Sequence, residues 1–334
     1  GAGGSIGSEL ARQCARAGVA RLVLLERAEY PLIEVSDGIA RDYPHVDLKL
    51  MLADCGEPVS VRRAVRYQPD FVFHAAANKQ VPLLEGQVRE GLRNNVAASD
   101  LLATICRSAG VGKFLLIATD KAVDPVNVLG ASKRFAELVC QSALAGSSTR
   151  LSIVRFGNVL DSAGSVVPLF RRQIAAGGPV TVTHPEITRY FMTIPEACQL
   201  ILQTTVLPPV DAAVYTLDMG RPVAIRELAE QMIRLAGKRP GVDVKIEYIG
   251  LRAGEKLHER LFASGELHER TLNPLILRAL LRSGEGNEIS ALLDQLLLLL
   301  AEDASDEALM ALLRRAVPEY TPNQATAAEP GSPE

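Results

Sequence analysis

The sequence lacks a block of like charge. Its 36 Lys and Arg are scattered among 39 Asp and Glu, for a formal net charge of −3, so nucleic acid is not an expected partner. It lacks paired cysteines. Cys14, Cys55, Cys106, Cys140 and Cys198 show no spacing of a disulfide or zinc framework, and they read as reduced, buried thiols of a cytosolic protein. No metal site is expected. A long apolar run is also missing: the Leu-rich stretch from Leu296 to Leu300 is too short to cross a bilayer, and no signal peptide is visible. There is no internal repeat, and no linker interrupts residues 1–150. What remains is 334 residues, 48% hydrophobic and 22% charged, a soluble globular composition with material for one large or two modest domains.

One stretch organises the rest. The apolar run Phe114-Leu-Leu-Ile117 suits a fully buried strand. It leads into Ala118-Thr-Asp-Lys-Ala-Val123 and on to Leu129-Gly-Ala-Ser-Lys133. Residues 133–141 read as a helix with Phe135, Leu138 and Val139 on one face. A hydroxyl, an acid and a base (Thr119, Asp120 and Lys121) therefore lie side by side at the C-terminal end of a strand, the edge where open parallel sheets bind ligands.

Upstream, glycines at 1, 4 and 7 let the backbone turn tightly and approach a pyrophosphate on the N-terminus of the next helix. Residues 21–25 form the next strand and end in Glu26, placed to accept hydrogen bonds from an adenosine ribose. That favours NAD over NADP, while Arg27 pulls the other way. A third strand, residues 48–52, is followed by Asp54, which reads equally as a contact to an adenine edge or as a helix cap. The fourth, residues 71–75, runs into small residues that let the chain pass close to a cofactor. His74 within it reads as a hydrogen-bonded core histidine. Helical periodicity spans 95–109. Strands and amphipathic helices alternate five times, which predicts an α/β fold with a doubly wound parallel sheet and right-handed crossovers. The chain begins at Gly1 inside the phosphate-binding turn, so it reads as a fragment without its first strand.

The second part is less regular. Residues 150–155 read as a sixth strand, 166–175 as a helix and 179–182 as a short strand. Pro195 opens a helix, 214–217 and 244–248 are strands, and 225–236 is a helix. The expected division is a dinucleotide-binding domain over 1–157 and a partly interleaved substrate lobe over 158–283. Leu-rich packing helices over 284–317 and a disordered polar tail over 318–334 complete it.

Seven motifs fall in order: Gly1-Ala-Gly-Gly-Ser-Ile-Gly7, His74-Ala-Ala-Ala77, Ala118 to Val123, Gly130-Ala-Ser-Lys133, Arg155-Phe-Gly-Asn158, Val180 to Ile194 (with His-Pro-Glu-Ile-Thr-Arg-Tyr-Phe inside it) and Gly250-Leu-Arg-Ala-Gly-Glu-Lys256. With them the chain resembles the CapD-like polysaccharide biosynthesis family, nucleotide-sugar 4,6-dehydratases among the extended short-chain dehydrogenase/reductases. The likeness runs from Gly1 to about Phe262, with an expected continuation through the C-terminal helices. It implies a Rossmann fold, a tightly held NAD (with NADP the alternative), and a UDP-N-acetylglucosamine-like substrate converted to a 4-keto-6-deoxy sugar. The cofactor set implied is Gly1, Gly4, Ser5, Ile6, Gly7, Glu26, Asp54, Ala75, Ala76, Asn95 and Lys133. The substrate set is Lys79, Asn158, Arg189, Arg252 and Glu255, the arginines suiting a pyrophosphate and Glu255 a uridine ribose.

In that reading a protonated Asp120 donates to the leaving C6 hydroxyl, and Lys121 removes the C5 proton once burial or a neighbouring cation has lowered its pKa. Thr119 bonds the C4 oxygen, and Lys133 the nicotinamide ribose. The family's superfamily pattern is Tyr-x-x-x-Lys. Here Leu129 stands four residues before Lys133, so the C4 proton must go to Asp120, to water or through Thr119. Asn78 and Asp161 depart from the family's usual aromatic and glycine, which bears on sugar specificity. The rival readings are a nucleotide-sugar 4-epimerase and a non-catalytic NAD(P)-binding sensor. A homo-oligomer in the cytoplasm is expected, attached at the inner face of the membrane if an upstream region anchors it.

Overall fold

The computed structural model describes residues 1–208, 210, 212–280 and 286–323. The chain opens with α1 (Ser5–Arg16), β1 (Arg21–Glu26), α2 (Glu29–Asp42), β2 (Asp47–Leu52), α3 (Pro58–Val65) and β3 (Phe71–His74). Short helices α4 (Val81–Glu85) and α5 (Val88–Leu92) lead through a π-helical turn into α6 (Ala98–Ser108), β4 (Lys113–Ile117), α7 (Val128–Leu144) and β5 (Arg150–Arg155). The next elements are β6 (Asn158–Val159), α8 (Val166–Ala175), β7 (Val180–Val182), β8 (Thr188–Arg189), β9 (Phe191–Met192), α9 (Ile194–Gln203) and β10 (Ala213–Leu217). After them come β11 (Val223–Ala224), α10 (Ile225–Leu235), β12 (Ile246–Tyr248), β13 (His268–Arg270), β14 (Ile276–Ala279), α11 (Gly286–Ala301) and α12 (Asp306–Ala316).

The central sheet runs β13-β14-β10-β5-β4-β3. Pairs β3–β4, β4–β5 and β5–β10 are parallel, and β14 and β13 close one edge antiparallel. Strands β1 and β2 form a separate parallel pair. β4 shows why the centre is apolar in one run rather than alternating. Phe114 and Leu116 pack with Leu102 and Cys106 of α6 and Ala136 and Cys140 of α7. Leu115 and Ile117 pack on the opposite face with Leu10 of α1 and Ala197 and Ile201 of α9. Phe114, Leu115 and Leu116 are fully buried, and each such side chain stabilises by about 1.5–3 kcal/mol. With both faces covered, the buried run Phe114–Ile117 is apolar throughout. The layering is the doubly wound parallel sheet expected from the alternation.

Two features differ from the expectation. α7 begins at Val128, five residues early, because Asn127 caps it: the Asn127 side chain accepts from Gly130 N at 2.7 Å. The Leu129–Lys133 motif therefore occupies its first turns. As expected of packing helices, α11 and α12 lie on α7, with Leu296, Leu309 and Leu313 in one cluster with Leu129, Phe135 and Val139. The second departure is that the start of the expected disordered tail is packed. Tyr320 is buried in that cluster, and the amides of Thr321 and Asn323 donate to Pro125 O and Val126 O at 3.0 Å. One buried aromatic and two backbone bonds outweigh the polar composition. Residues 324–334 of that tail lie outside the described residues. All five cysteines are buried and free. Among the described residues no helix is long and apolar enough to cross a membrane.

Candidate active site

Chain pairing continues past the ends of β4 and β5. Ala118 N donates to Val154 O at 2.8 Å and Asp120 N to Phe156 O at 3.0 Å. This holds Thr119, Asp120 and Lys121 in a short 3₁₀ turn at the sheet's C-terminal edge, capped by the Thr119 side chain. Thr119 Oγ1 and Lys121 Nζ both donate to Asp120 Oδ1 at 3.0 Å, and Lys121 Nζ also donates to Asn158 Oδ1 at 3.0 Å. Asp120 is 1% exposed. Its other oxygen, Oδ2, is buried without a hydrogen-bond partner. A Cβ on Gly157 would stand 2.8 Å from that oxygen, so glycine there leaves the face of the carboxyl clear.

A second buried acid, absent from the expected set, stands across from it. Glu259 Oε1 is 3.9 Å from Lys121 Nζ, and Oε2 is 3.6 Å from Lys256 Nζ. Nothing in the polar run around His258 and Glu259 marks it locally; its place comes from the fold bringing residues 255–260 over the end of β4. Burial draws the Lys121 pKa down, but the carboxylates of Asp120 and Glu259 hold it above the ordinary lysine value, against Arg189. The expected lowering of the Lys121 pKa is therefore not met: Lys121 rests as an ammonium.

Lys133 lies behind this cluster. Its Nζ donates to Ile117 O at 2.6 Å, and burial brings its pKa down to about 8, with Glu137 opposing. Leu129 is buried in the helical core rather than turned to the cleft. His74 is likewise internal, 2.9 Å from Ser99 Oγ, and burial pulls its pKa down to about 3.

The glycine turn borders a cavity of about 330 Å³ lined by Gly1, Gly3, Gly4, Glu26, Asp54, Ala75 and Ala76, among others. Gly7 and Gly1 are required by close approach. A Cβ on Gly7 would stand 1.9 Å from Gly1 O, and one on Gly1 2.5 Å from Ala76 N. Ser5 and Ile6 open α1, and Ser5 Oγ accepts from Ala163 N at 3.2 Å. Glu26 borders the cavity, but its oxygens already accept from the amides of Gly3, Arg27 and Ala28 at 2.9–3.1 Å, so it also fixes the turn. Asp54 Oδ1 accepts from Gly56 N at 2.8 Å. It is not the cap of α3, whose N-cap residue is Glu57. Asn95 departs from its expected role. It is fully buried, and its amide bonds Asn78 N, Asn78 O, Asn94 and Ser132. It braces the chain behind the cleft and has no face open to a cofactor.

Of the substrate set, Asn158 sits on Lys121, and Lys79 Nζ is 3.4 Å from Ser162 Oγ. Burial and the Lys121 ammonium lower the Lys79 pKa. Arg189 and Glu255 are paired with each other at 3.3 Å, with Thr183 Oγ1 donating to Glu255 at 3.1 Å. The backbone amide of Arg252 donates to Glu255 Oε2 at 3.1 Å while its side chain is exposed. Asp161 has φ of 59°, the left-handed region where glycine fits more easily. Asn78 Oδ1 is 3.3 Å from Arg27 Nη2.

The model of the polysaccharide biosynthesis protein family matches residues 1–280 and ends before α11. The capsular polysaccharide biosynthesis protein CapD of Staphylococcus aureus is 45% identical over 281 residues, 83% of this chain and 47% of CapD. The chain thus spans about half the length of that relative. An inverting UDP-N-acetylglucosamine 4,6-dehydratase of Campylobacter jejuni is 32% identical, covering 60% of this chain and 58% of that protein. A UDP-glucose 4-epimerase of Rickettsia akari is 33% identical over 66% and 63%. Among solved structures, Pen from Bacillus thuringiensis superposes with a TM-score of 0.75 at 28% identity, covering 85% and 86%. With the family model spanning the sheet, the glycine turn and the Thr119–Lys121 cluster, the chain belongs to the polysaccharide biosynthesis protein family.

Proposed function

We propose that the protein dehydrates a UDP-N-acetylhexosamine, UDP-N-acetylglucosamine first, at C4, C5 and C6 to a 4-keto-6-deoxy sugar nucleotide for polysaccharide assembly. The observation that carries this reading is the Thr119–Asp120–Lys121 cluster around the buried Asp120, with one Asp120 oxygen unpartnered. An epimerase needs no acid and base directed at C5 and C6.

The glycine cleft fits a dinucleotide. Its backbone approaches too closely for any side chain at Gly1 or Gly7, and α1 presents free amides where a pyrophosphate would lie. Bound there, NAD supplies the redox chemistry, accepting a hydride from C4 and returning it to C6. Everything else falls to side chains. Thr119 Oγ1, already donating to Asp120 Oδ1, passes the C4 hydroxyl proton to that carboxylate. This gives a proton acceptor although Leu129 replaces the superfamily's tyrosine. Asp120, now a neutral acid, gives its proton to the C6 hydroxyl, which leaves as water. Lys121 takes the C5 proton and later returns one to C5. Lys79 and Arg189 supply the cations nearest Lys121 for the pyrophosphate.

The test is turnover in heavy water with NAD and UDP-N-acetylglucosamine, read by mass spectrometry and NMR. One water lost and one deuterium gained at C5 is the expected result. Intact sugar with C4 inverted would make the protein an epimerase; bound NAD with no turnover would make it a sensor.

Gly130 offers a geometric test of the same site. A Cβ there would stand 2.1 Å from Lys121 O and 2.9 Å from Lys121 C. Gly130→Ala must push the catalytic turn off α7. Turnover is expected to fall about 100-fold, the effect of misplacing a reacting group by about an ångström, with a smaller loss of stability in urea titration. Unchanged turnover would mean that the position of Lys121 does not matter to the rate.

A further inference from the structure

Glu259 is a buried acid with no role in the proton path above. It is 6% exposed and lies between two ammonium groups, Lys121 and Lys256. Its Oε2 accepts no hydrogen bond although it is shut from solvent, because the Lys256 ammonium donates instead to Val123 O at 2.8 Å. A buried carboxylate left short of donors is costly, and each such group asks for a reason.

Lys121 supplies one. To take a proton from C5 its amine must be neutral, yet it rests as an ammonium bonded to Asp120 and Asn158. Asp120 cannot relieve it, since the C4 hydroxyl proton fills that carboxyl. We infer that Glu259 takes the Lys121 proton when substrate binds, holds it through the elimination, and returns it after C5 is reprotonated. This rests on the dehydratase reading. Glu259 acts through Lys121 rather than on the sugar, so it is a positioning residue.

The protons balance. The C4 hydroxyl proton reaches Asp120 and leaves in the water formed at C6. The C5 proton moves to the Lys121 amine, and one proton goes back from Lys121 to C5. The original ammonium proton shuttles to Glu259 and returns. Transfer to Glu259 converts an ion pair into a neutral amine and a neutral acid, which a site losing its water favours. Shortening the 3.9 Å contact to hydrogen-bond length is the only movement required. The other charged groups facing this pair are Asp120 beside Lys121, Arg189 from β8, Lys79 beyond β3 and Lys256 on the Glu259 segment. Arg189 and Lys79 favour loss of the Lys121 proton, whereas Lys256, beside Glu259, opposes protonation of that carboxylate.

The test compares wild type, Glu259→Gln and Glu259→Asp by kcat and kcat/KM from about pH 6 to about pH 10. Wild type is expected to keep a nearly level kcat, because the proton moves internally. Glu259→Gln should lose at least about tenfold at neutral pH and recover with unit slope as alkali strips Lys121. Glu259→Asp should restore much of the neutral rate. A Gln variant with the wild-type profile, or one whose profile only moves to lower pH without loss at neutrality, would overturn the inference. A second measurement needs no turnover: NMR titration of the Lys121 ε-carbon, identified with Lys121→Arg. Lys121 is expected to titrate at least one unit lower in Glu259→Gln and to stay nearer wild type in Glu259→Asp, which keeps the carboxylate; an unmoved Lys121 in Glu259→Gln counts against the inference. If wild type releases no water at all, the dehydratase reading falls, and this titration still decides whether Glu259 governs Lys121.

Discussion

Lys121→Ala is expected to lower the proposed dehydration by about a thousand-fold or more while the protein still binds NAD. General acid–base catalysis by one positioned group contributes about 10²–10⁴-fold, and here the group also orders its neighbours. Its ammonium bonds Asp120 Oδ1 and Asn158 Oδ1 and faces Glu259. Removing it takes away the ion partner of Asp120 and leaves Glu259 with Lys256. The dinucleotide cleft is formed by different residues, those of the glycine turn, Glu26, Asp54 and the chain after β3. NAD binding, followed by nicotinamide fluorescence or calorimetry, should therefore persist. Lys121→Arg separates charge from basicity. The guanidinium keeps the cation but cannot be deprotonated in proteins, so this variant should be as inactive as Lys121→Ala. Arg activity within about tenfold of wild type would assign Lys121 an electrostatic role, and wild-type rates in Lys121→Ala would remove it from the chemistry.

The parts of this arrangement written in local sequence were legible before any coordinates. The apolar run of β4, its polar C-terminal continuation and the glycines at 1, 4 and 7 each carry their meaning within a few residues, because burial on both faces, strand-end placement and backbone approach are local demands. Asn127 is also a local signal, a helix cap of ordinary type, and it sets the start of α7 five residues before Lys133. Glu259 was not legible. Its meaning depends on a loop more than a hundred residues downstream closing over β4, and an acid in a polar run looks like surface until that happens. Asn95 shows the converse. The family resemblance implies a cofactor contact for it, but the fold spends all its side-chain hydrogen-bonding capacity on Asn78, Asn94 and Ser132. Tyr320 shows how one aromatic in a polar tail orders its neighbours once α7, α11 and α12 supply a pocket.

Glu137→Ala is expected to destabilise the fold by about 3–5 kcal/mol, the range for removing one partner of a buried ion pair. Glu137 on α7 is fully buried. It receives two bonds from the Arg155 guanidinium, Nε to Oε1 at 2.8 Å and Nη2 to Oε2 at 2.6 Å, and one from Arg134 at 3.1 Å. Burial works against its charge, yet Arg155 and Arg134 hold its carboxyl below the usual glutamate range. A depressed carboxylate contributes stability that is complete above the unfolded value, about 4.3, and is lost as pH falls through the folded value. Wild type should thus lose this contribution only in acid, and the variant should lack it already at neutral pH. What the variant leaves behind sets the size of the effect: an enclosed Arg155 cation with Glu266, at 3.1 Å, as its remaining partner. Arg155 lies three residues before Asn158, which holds Lys121, so shifting it also disturbs the catalytic turn. Replacing both partners with apolar residues, Glu137→Leu with Arg155→Met, should recover most of the loss, because the fully buried charges go together while Arg134 keeps Glu319 and Glu266 is partly exposed. Urea unfolding midpoints at neutral pH, completed as a double-mutant cycle, make the comparison. A single variant within about 1 kcal/mol of wild type would mean that water already reaches this pair.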